Sequence, residues 1–262
     1  MFAQHALIRR PSSRLADGIV THLERSPVDV EKARTQWQAY VDALHAAGWE
    51  THEVDPAEEH PDSVFVEDTM LVYGDLAVIA RPGAEERRGE TPAAEEAVKE
   101  LGYRVAHIEA PGTLDGGDVL KWGNTVWVGR GGRTNAEGIR QLAAHLEPLG
   151  ARVVTVPLSK VLHLKSAVTA LPDGTVIGYP PIVDDPDLFP TFLPVPEEPG
   201  SHVVLLGGQK VLMAASAPET ARLLRERGLD VVTVDISEYE KLEGCVTCLS
   251  VRLRGLPDRA GA

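Results

Sequence analysis

The chain has 262 residues, 43% of them hydrophobic, which is enough to bury a sizeable core in one large domain or two small ones. Lys and Arg number 26 against 39 Asp and Glu, and the resulting formal net charge of −13 repels phosphate backbones, arguing against a nucleic-acid partner, while attracting small cations. Two cysteines are too few for a disulfide scaffold, and no apolar run approaches the roughly 20 residues of a membrane span. From Met1 to Arg10 two arginines end the amino-terminal stretch before a signal-peptide core can form, so the chain is expected in the cytoplasm.

In chain order, His5 to Arg9 reads as a strand, and Ala33, Trp37, Val41 and Leu44 mark one face of a helix that stops at Gly48. From Asp68 an apolar run (Met70 to Tyr73), a Gly74-Asp75 turn and a second run (Leu76 to Ala80) predict a hairpin. A charged connection leads to a helix starting at Thr91-Pro92 and stopping at Gly102, then a closing strand from Tyr103 to Ile108. From Asp115 the order recurs: Val119 to Trp122, a Gly123-Asn124 turn, then Thr125 to Val128. A helix with Ile139, Leu142, Ala143 and Leu146 on one face follows, and then a strand from Arg152 to Val156. A third unit starts near His163, turns at Asp173-Gly174 and re-enters at Thr175 to Tyr179. Seven prolines from Pro180 to Pro199 replace its helix with an expected extended loop. The fourth unit has strands His202 to Leu206 and Lys210 to Ala214 around Gly207-Gly208. Its helix has Ser216 and Glu219 spaced as a capping box and Gly228 as the stop, and its closing strand is Asp230 to Val234. Cys248 to Leu253 alternates like a strand, so the two chain ends supply the halves of a fifth unit.

The turn glycines Gly74, Gly123 and Gly174 recur at intervals of 49 and 51 residues. Strands and helices alternating in an open sheet fit the same elements, but this regularity favours a closed ring of five strand–strand–helix–strand units. In a ring, the residues that start each unit's first strand converge on the axis. Those residues are Glu67-Asp68, Asp115 with Asp118, His163 and Cys248. Taken singly each is ordinary: Asp115 to Asp118 could be only a turn, His163 a half-buried histidine between leucines, Glu67-Asp68 a strand end. Their joint placement at equivalent positions is what suggests a site. Cys245 and Cys248 form a C-x-x-C, but no second cluster completes a zinc site. A redox pair would open a helix, whereas a strand sends residues three apart to opposite faces and opposes a disulfide. Cys248 then reads as a nucleophile with Cys245 as neighbour, against the alternative of an inert buried thiol. Gly129 to Thr134 lacks the lysine of a phosphate loop, and no cofactor is called for.

The segments Phe65 to Asp68, Arg81 to Ala84, Leu114 to Val119, Arg133 to Asn135, Leu162 to Ser166 and Thr247-Cys248 resemble, in order and across almost the whole chain, the dimethylarginine dimethylaminohydrolase family. The resemblance implies an α/β fold, the five-bladed α/β propeller built from ββαβ units, with residues 1–262 as a single catalytic domain. It implies Cys248 as nucleophile, His163 as proton donor and Asp115 as the residue that orients His163. Asp62, Glu67 and Asp68 would bind the substrate, as would Arg87 and Arg133 at its α-carboxylate. Leu15, through its carbonyl, and Leu242 would make lesser contacts. Apart from the resemblance, Arg87 and Arg133 read as solvated loop residues. Two departures from the mammalian members stand out: prolines where those are expected to be helical, and Leu249 where they carry a second cysteine. Carboxylates holding a guanidinium in a fixed plane favour the cation over a neutral product. A thiolate then adds at its central carbon, His163 protonates the departing amine, and water opens the thiouronium. Because only Arg252 is a cation near Cys248 in sequence, the bound guanidinium itself is expected to help lower the thiol's pKa. The expected partner is a small cationic guanidino substrate, with no cofactor or metal, on a monomer or homodimer. Rival readings are hydrolysis of arginine, hydroxyarginine or agmatine, amidino transfer, or simple binding of an arginine derivative.

Overall fold

A computed structural model describes residues 4–253. Among them lie five three-stranded sheets, each one blade of an α/β propeller. The first complete blade has β3 (Met70–Tyr73) antiparallel to β4 (Leu76–Ile79) and β4 parallel to β5 (Arg104–His107). The next repeats the pattern with β6 (Val119–Trp122), β7 (Thr125–Arg130) and β8 (Arg152–Pro157). Then come β9 (Val168–Ala170), β10 (Val176–Gly178) and β11 (Phe192–Pro194), followed by β12 (Val203–Gly207), β13 (Lys210–Ala214) and β14 (Asp230–Val234). The fifth sheet joins the chain ends: β15 (Val251–Leu253) pairs antiparallel with β1 (Gln4–Ile8), which pairs parallel with β2 (Trp49–Glu53). That pairing closes the ring expected from the repeat.

Each parallel pair needs a crossover. Helices α1 (Val30–Ala46), α2 (Thr91–Glu100), α3 (Ala136–Leu146) and α5 (Pro218–Glu226) supply four of the five, with short α4 (Leu164–Ala167) and α6 (Ser237–Glu240) outside the crossovers. Asp29 and Asn135 cap α1 and α3 with their side chains, and the helices stop where Gly48, Gly102, Gly150 and Gly228 take positive φ. On α3, Ile139, Leu142 and Leu146 wedge between Val126 and Val128 of their own blade and Leu76 and Val78 of the preceding one. Burying each such aliphatic side chain contributes about 1.5–3 kcal/mol.

Three sequence expectations are corrected. The stretch from Pro180 to Pro199 is not simply an extended loop: it holds 3-10 turns at Pro180–Ile182, Pro186–Leu188 and Glu198–Ser201, and the closing strand β11. Pro194 sits at the strand's last position, where its missing N–H is tolerated. The Ser216/Glu219 capping box does not form. Ser216 Oγ donates to Glu240 Oε1 at 2.5 Å, and it is Glu197, from the proline-rich stretch, that accepts from the N–H groups of Glu219 and Thr220. Finally, only Val251 to Leu253 is strand; Cys248 lies in a turn whose Cys248 N–H donates to Cys245 O at 3.1 Å.

The first strands of all five blades face a common axis. Leu71, Leu120, Thr169, Val204 and Val251, one from each, line an axial cavity, with Glu67, Lys165 and Arg252 among its polar lining.

Candidate active site

The loops that precede the first strands fit together because two glycines let backbones approach. A Cβ on Gly116 would stand 1.9 Å from Glu67 O, and one on Gly117 would meet Asp68 Oδ1 and His163 Nδ1, each at 2.7 Å. Without them the Phe65 to Asp68, Asp115 to Asp118 and His163 segments could not share a site. Gly117 N–H also donates to Asp68 Oδ1 at 2.8 Å.

His163 is buried and its Nε2 lies 2.9 Å from Asp115 Oδ2, while its Nδ1 is 3.8 Å from Asp68 Oδ1. Burial alone would lower its pKa. The charge of Asp68, the hydrogen bond to Asp115 and the charge of Asp118 overcome that and raise it to about 9. The ring is therefore an imidazolium at neutral pH, with Nε2–H donating to Asp115. Asp115 also accepts from Gly83 N–H at 2.8 Å and faces Arg133 Nη1 at 3.4 Å. Asp118, pushed up to about 7 by burial, accepts from Thr134 Oγ1 at 2.6 Å and from Leu164 N–H at 2.9 Å. It thus pins the backbone beside the histidine.

A pocket opens beside His163 and Cys248. Asp62, Asp68, Arg87, Arg133 and Leu242 also line it, together with Ile19, Phe65, Leu162, Glu243 and Gly244. Asp115, Glu67 and Leu15 do not. Asp115 stands behind His163. The side chain of Glu67 turns toward the axial cavity, where it meets Arg252 Nη2 at 2.6 Å, Lys165 Nζ at 2.5 Å and Thr247 Oγ1 at 2.9 Å. Leu15 is fully buried, and its carbonyl accepts from Gly18 N–H at 3.0 Å.

The two arginines differ. Arg87 is clamped: Nη1 donates to Asp68 Oδ2 at 2.6 Å, Nε and Nη2 to Glu90, and Nη2 also to the carbonyls of Asp62 and Phe65. Among the described residues Arg133 touches protein acceptors only through Nη1, which leaves most of its fork open to the pocket. Asp62 is raised by burial, against the opposing charge of Arg87, and both its oxygens accept from Ile19 N–H at 3.1 Å.

The sulfurs of Cys245 and Cys248 are 3.3 Å apart. The two thiols titrate as a pair. The hydrogen bond that Cys248 donates to the Cys245 sulfur, then burial, then the charges of Cys245, Glu67 and Asp68 hold Cys248 well above the ordinary thiol value. Arg252 offers Cys248 no help, since its guanidinium is turned to Glu67 and the carbonyls of Thr247 and Ser250. Ligand atoms of Asp68, Asp115 and His163 lie within 4.8 Å of one another, as a metal site would require. Their charges are already balanced by Arg87, Arg133 and the imidazolium, which suits proton handling better.

Sequence reasoning gave no role to Glu90, Thr134 or Glu243. Glu243, at φ 61°, accepts from the N–H groups of Thr21, His22 and Leu23 and so ties the segment after Ile19 to the pocket wall. No periodicity marks it; the i,i+3 spacing of Arg87 and Glu90 was the one available signal.

The arginine deiminase family model matches residues 30–205. Over 258 residues, 98% of this chain and all of the relative, the chain is 67% identical to the N(G),N(G)-dimethylarginine dimethylaminohydrolase of Streptomyces coelicolor. A crystal structure of dimethylarginine dimethylaminohydrolase as its adduct with S-methyl-L-thiocitrulline superposes with a TM-score of 0.90 at 37% identity, covering 97% of this chain and 100% of that one. The Pseudomonas aeruginosa enzyme, as a mutant complexed with citrulline, gives 0.89 at 38% identity with the same coverage. The chain belongs to the arginine deiminase family and, within it, to the dimethylarginine dimethylaminohydrolases.

Proposed function

We propose that this hydrolase cleaves a C–N bond of N-ω-methylated arginines, turning asymmetric dimethylarginine or monomethylarginine into citrulline and a methylated amine. The observation that carries this reading is one pocket lined by a thiol, an imidazolium backed by Asp115, and two carboxylates, Asp62 and Asp68. The carboxylates hold the guanidinium nitrogens and fix its plane against Cys248. Arg133, with its free donors, takes the α-carboxylate, while Arg87 acts by fixing Asp68. Leu242 packs on the aliphatic stem of the substrate. Leu15 and Glu67 act from outside the pocket.

Cys248 is a thiol until the substrate arrives. The guanidinium's charge next to sulfur offsets the repulsion from Asp68, so the thiol releases its proton to solvent and becomes a thiolate. Sulfur adds to the central carbon, the imidazolium gives its proton to the departing dimethylamine, and a thiouronium remains on Cys248. Neutral His163 then takes a proton from water as the water attacks the same carbon, and the C–S bond breaks to release citrulline and the thiol. Few cysteines and two free buried thiols suit a reducing compartment, the cytoplasm. No described helix is long and apolar enough to cross a membrane.

The test is a panel of dimethylarginine, monomethylarginine, arginine, hydroxyarginine and agmatine, with citrulline, ammonia and alkylamines read by mass. Dimethylamine and citrulline from asymmetric dimethylarginine are the expected products. Ammonia from arginine with the methylated substrates inert would replace this reading with a deiminase, and binding without turnover would replace it with a binding protein.

A further inference from the structure

We propose that Cys245 is a resolving thiol: when a hydroperoxide oxidises Cys248, Cys245 closes a reversible Cys245–Cys248 disulfide that blocks the nucleophile and spares it from irreversible oxidation. A strand through these residues would forbid that bond. The turn permits it, because residues at its two ends have α-carbons closer than about 7 Å, close to the span of disulfides, about 4.4–6.8 Å. The sulfurs already sit 3.3 Å apart and both cysteines are free. Bonding at about 2.05 Å requires them to approach by little more than an ångström.

Access divides the roles. Cys248 lines the pocket and is reached by a molecule as small as a hydroperoxide, whereas Cys245 is buried behind it, away from the pocket lining. The pair shares a hydrogen bond through which a proton can pass from one sulfur to the other, and Thr247 Oγ1, whose own proton goes to Glu67, stands 3.2 Å from the Cys245 sulfur as an acceptor. Once Cys248 loses its proton, its sulfur attacks the distal peroxide oxygen. The O–O bond breaks, water or an alcohol leaves with the proton, and Cys248 becomes a sulfenic acid. The Cys245 sulfur then attacks the Cys248 sulfur, the S–O bond breaks, and hydroxide leaves as water with the Cys245 proton. Two electrons pass from the thiols to the hydroperoxide. Cys245 is already held beside Cys248, so it resolves the sulfenic acid faster than a thiol arriving from solution.

Loss of activity depends on Cys248 being the nucleophile, but formation of the bond does not, and the two are read separately. The full chain is treated with hydrogen peroxide, quenched with N-ethylmaleimide, and analysed by intact mass, non-reducing peptide mapping and activity before and after dithiothreitol. The expected wild-type product lacks two hydrogen atoms, takes up no maleimide at either cysteine, is inactive, and regains full activity on reduction. Cys245→Ser is inactivated too, but gains oxygen atoms at Cys248 and, after prolonged exposure, is not rescued by reductant. A wild-type protein that gains oxygen, or still takes up two maleimides after inactivation, overturns the proposal whatever the variant does. A disulfide that forms without touching turnover leaves this bond standing and refutes Cys248 as nucleophile. Cys245→Ala serves if the serine variant fails to fold.

Discussion

Replacing Asp115 with Asn keeps the shape of the site but removes the charge behind His163. The amide oxygen can still accept from Gly83 N–H, now bonded to Asp115 Oδ1 at 2.8 Å, and the amide nitrogen then takes the place of Oδ2, 2.9 Å from His163 Nε2. An amide N–H facing Nε2 makes that nitrogen an acceptor and favours the neutral ring with its proton on Nδ1. A hydrogen bond to a charged group contributes about 1.5–3 kcal/mol, and one pKa unit corresponds to about 1.36 kcal/mol. His163, now raised to about 9, should therefore fall by roughly 1–2 units. Because the departing amine needs the imidazolium, the alkaline limb of kcat moves down by the same amount. Turnover just below the wild-type limb drops roughly 10–100-fold, while acidic turnover changes less. A pH–rate profile of citrulline release, with the His163 Cε1–H resonance titrated alongside, measures both shifts. An alkaline limb that stays in place in the Asn variant would refute Asp115 as the support of the proton donor.

Cys248→Ser should lose turnover by several orders of magnitude with its circular dichroism and melting temperature unchanged, while Cys245→Ser keeps most activity; the reverse pattern would move the nucleophile. His163→Gly should still allow some thiol attack, so intact mass of a quenched reaction should show an adduct on Cys248, and normal turnover would remove His163 from the mechanism. Asp68→Asn should weaken binding of cationic guanidines far more than of citrulline by calorimetry, by about 1.5–3 kcal/mol for the lost charge-assisted bond; equal losses would contradict its role. Asp118 is held up to about 7 by burial, so it keeps its proton in the fold while the unfolded chain loses it near 3.8. Its contribution is present below that unfolded value and lost as pH rises through about 7, and Asp118→Asn should flatten this part of the pH dependence in urea melts. An unchanged slope would show Asp118 ionised in the native site.

Much of the ring was legible because repetition and turn chemistry are local. The two-residue turns at Gly74 and Gly123 need positive φ, found at 57° and 58°, and they set hairpins whose apolar runs could be read directly. Elements whose form depends on distant partners were not legible. β11 is held by parallel pairing to β10 in spite of its prolines, and α5 is capped by Glu197 from a loop some twenty residues back rather than by Ser216. Cys248 was read as strand because Cys248 to Leu253 alternates in polarity, but only Val251 to Leu253 finds a pairing partner, in β1.

For the site, sequence alone determined which chemistry was available: a thiol, an imidazole and carboxylates at the starts of successive units, their family set by the motifs around them. Tertiary structure decided how that chemistry is distributed. It turned Glu67 to the axis, gave Arg87 to Asp68 and Glu90 while leaving Arg133 open, and raised His163 through carboxylates 48 and 95 positions away in the chain. Charge and burial act through space, and their signs and distances do not exist until Gly116 and Gly117 have let the blades close on one another.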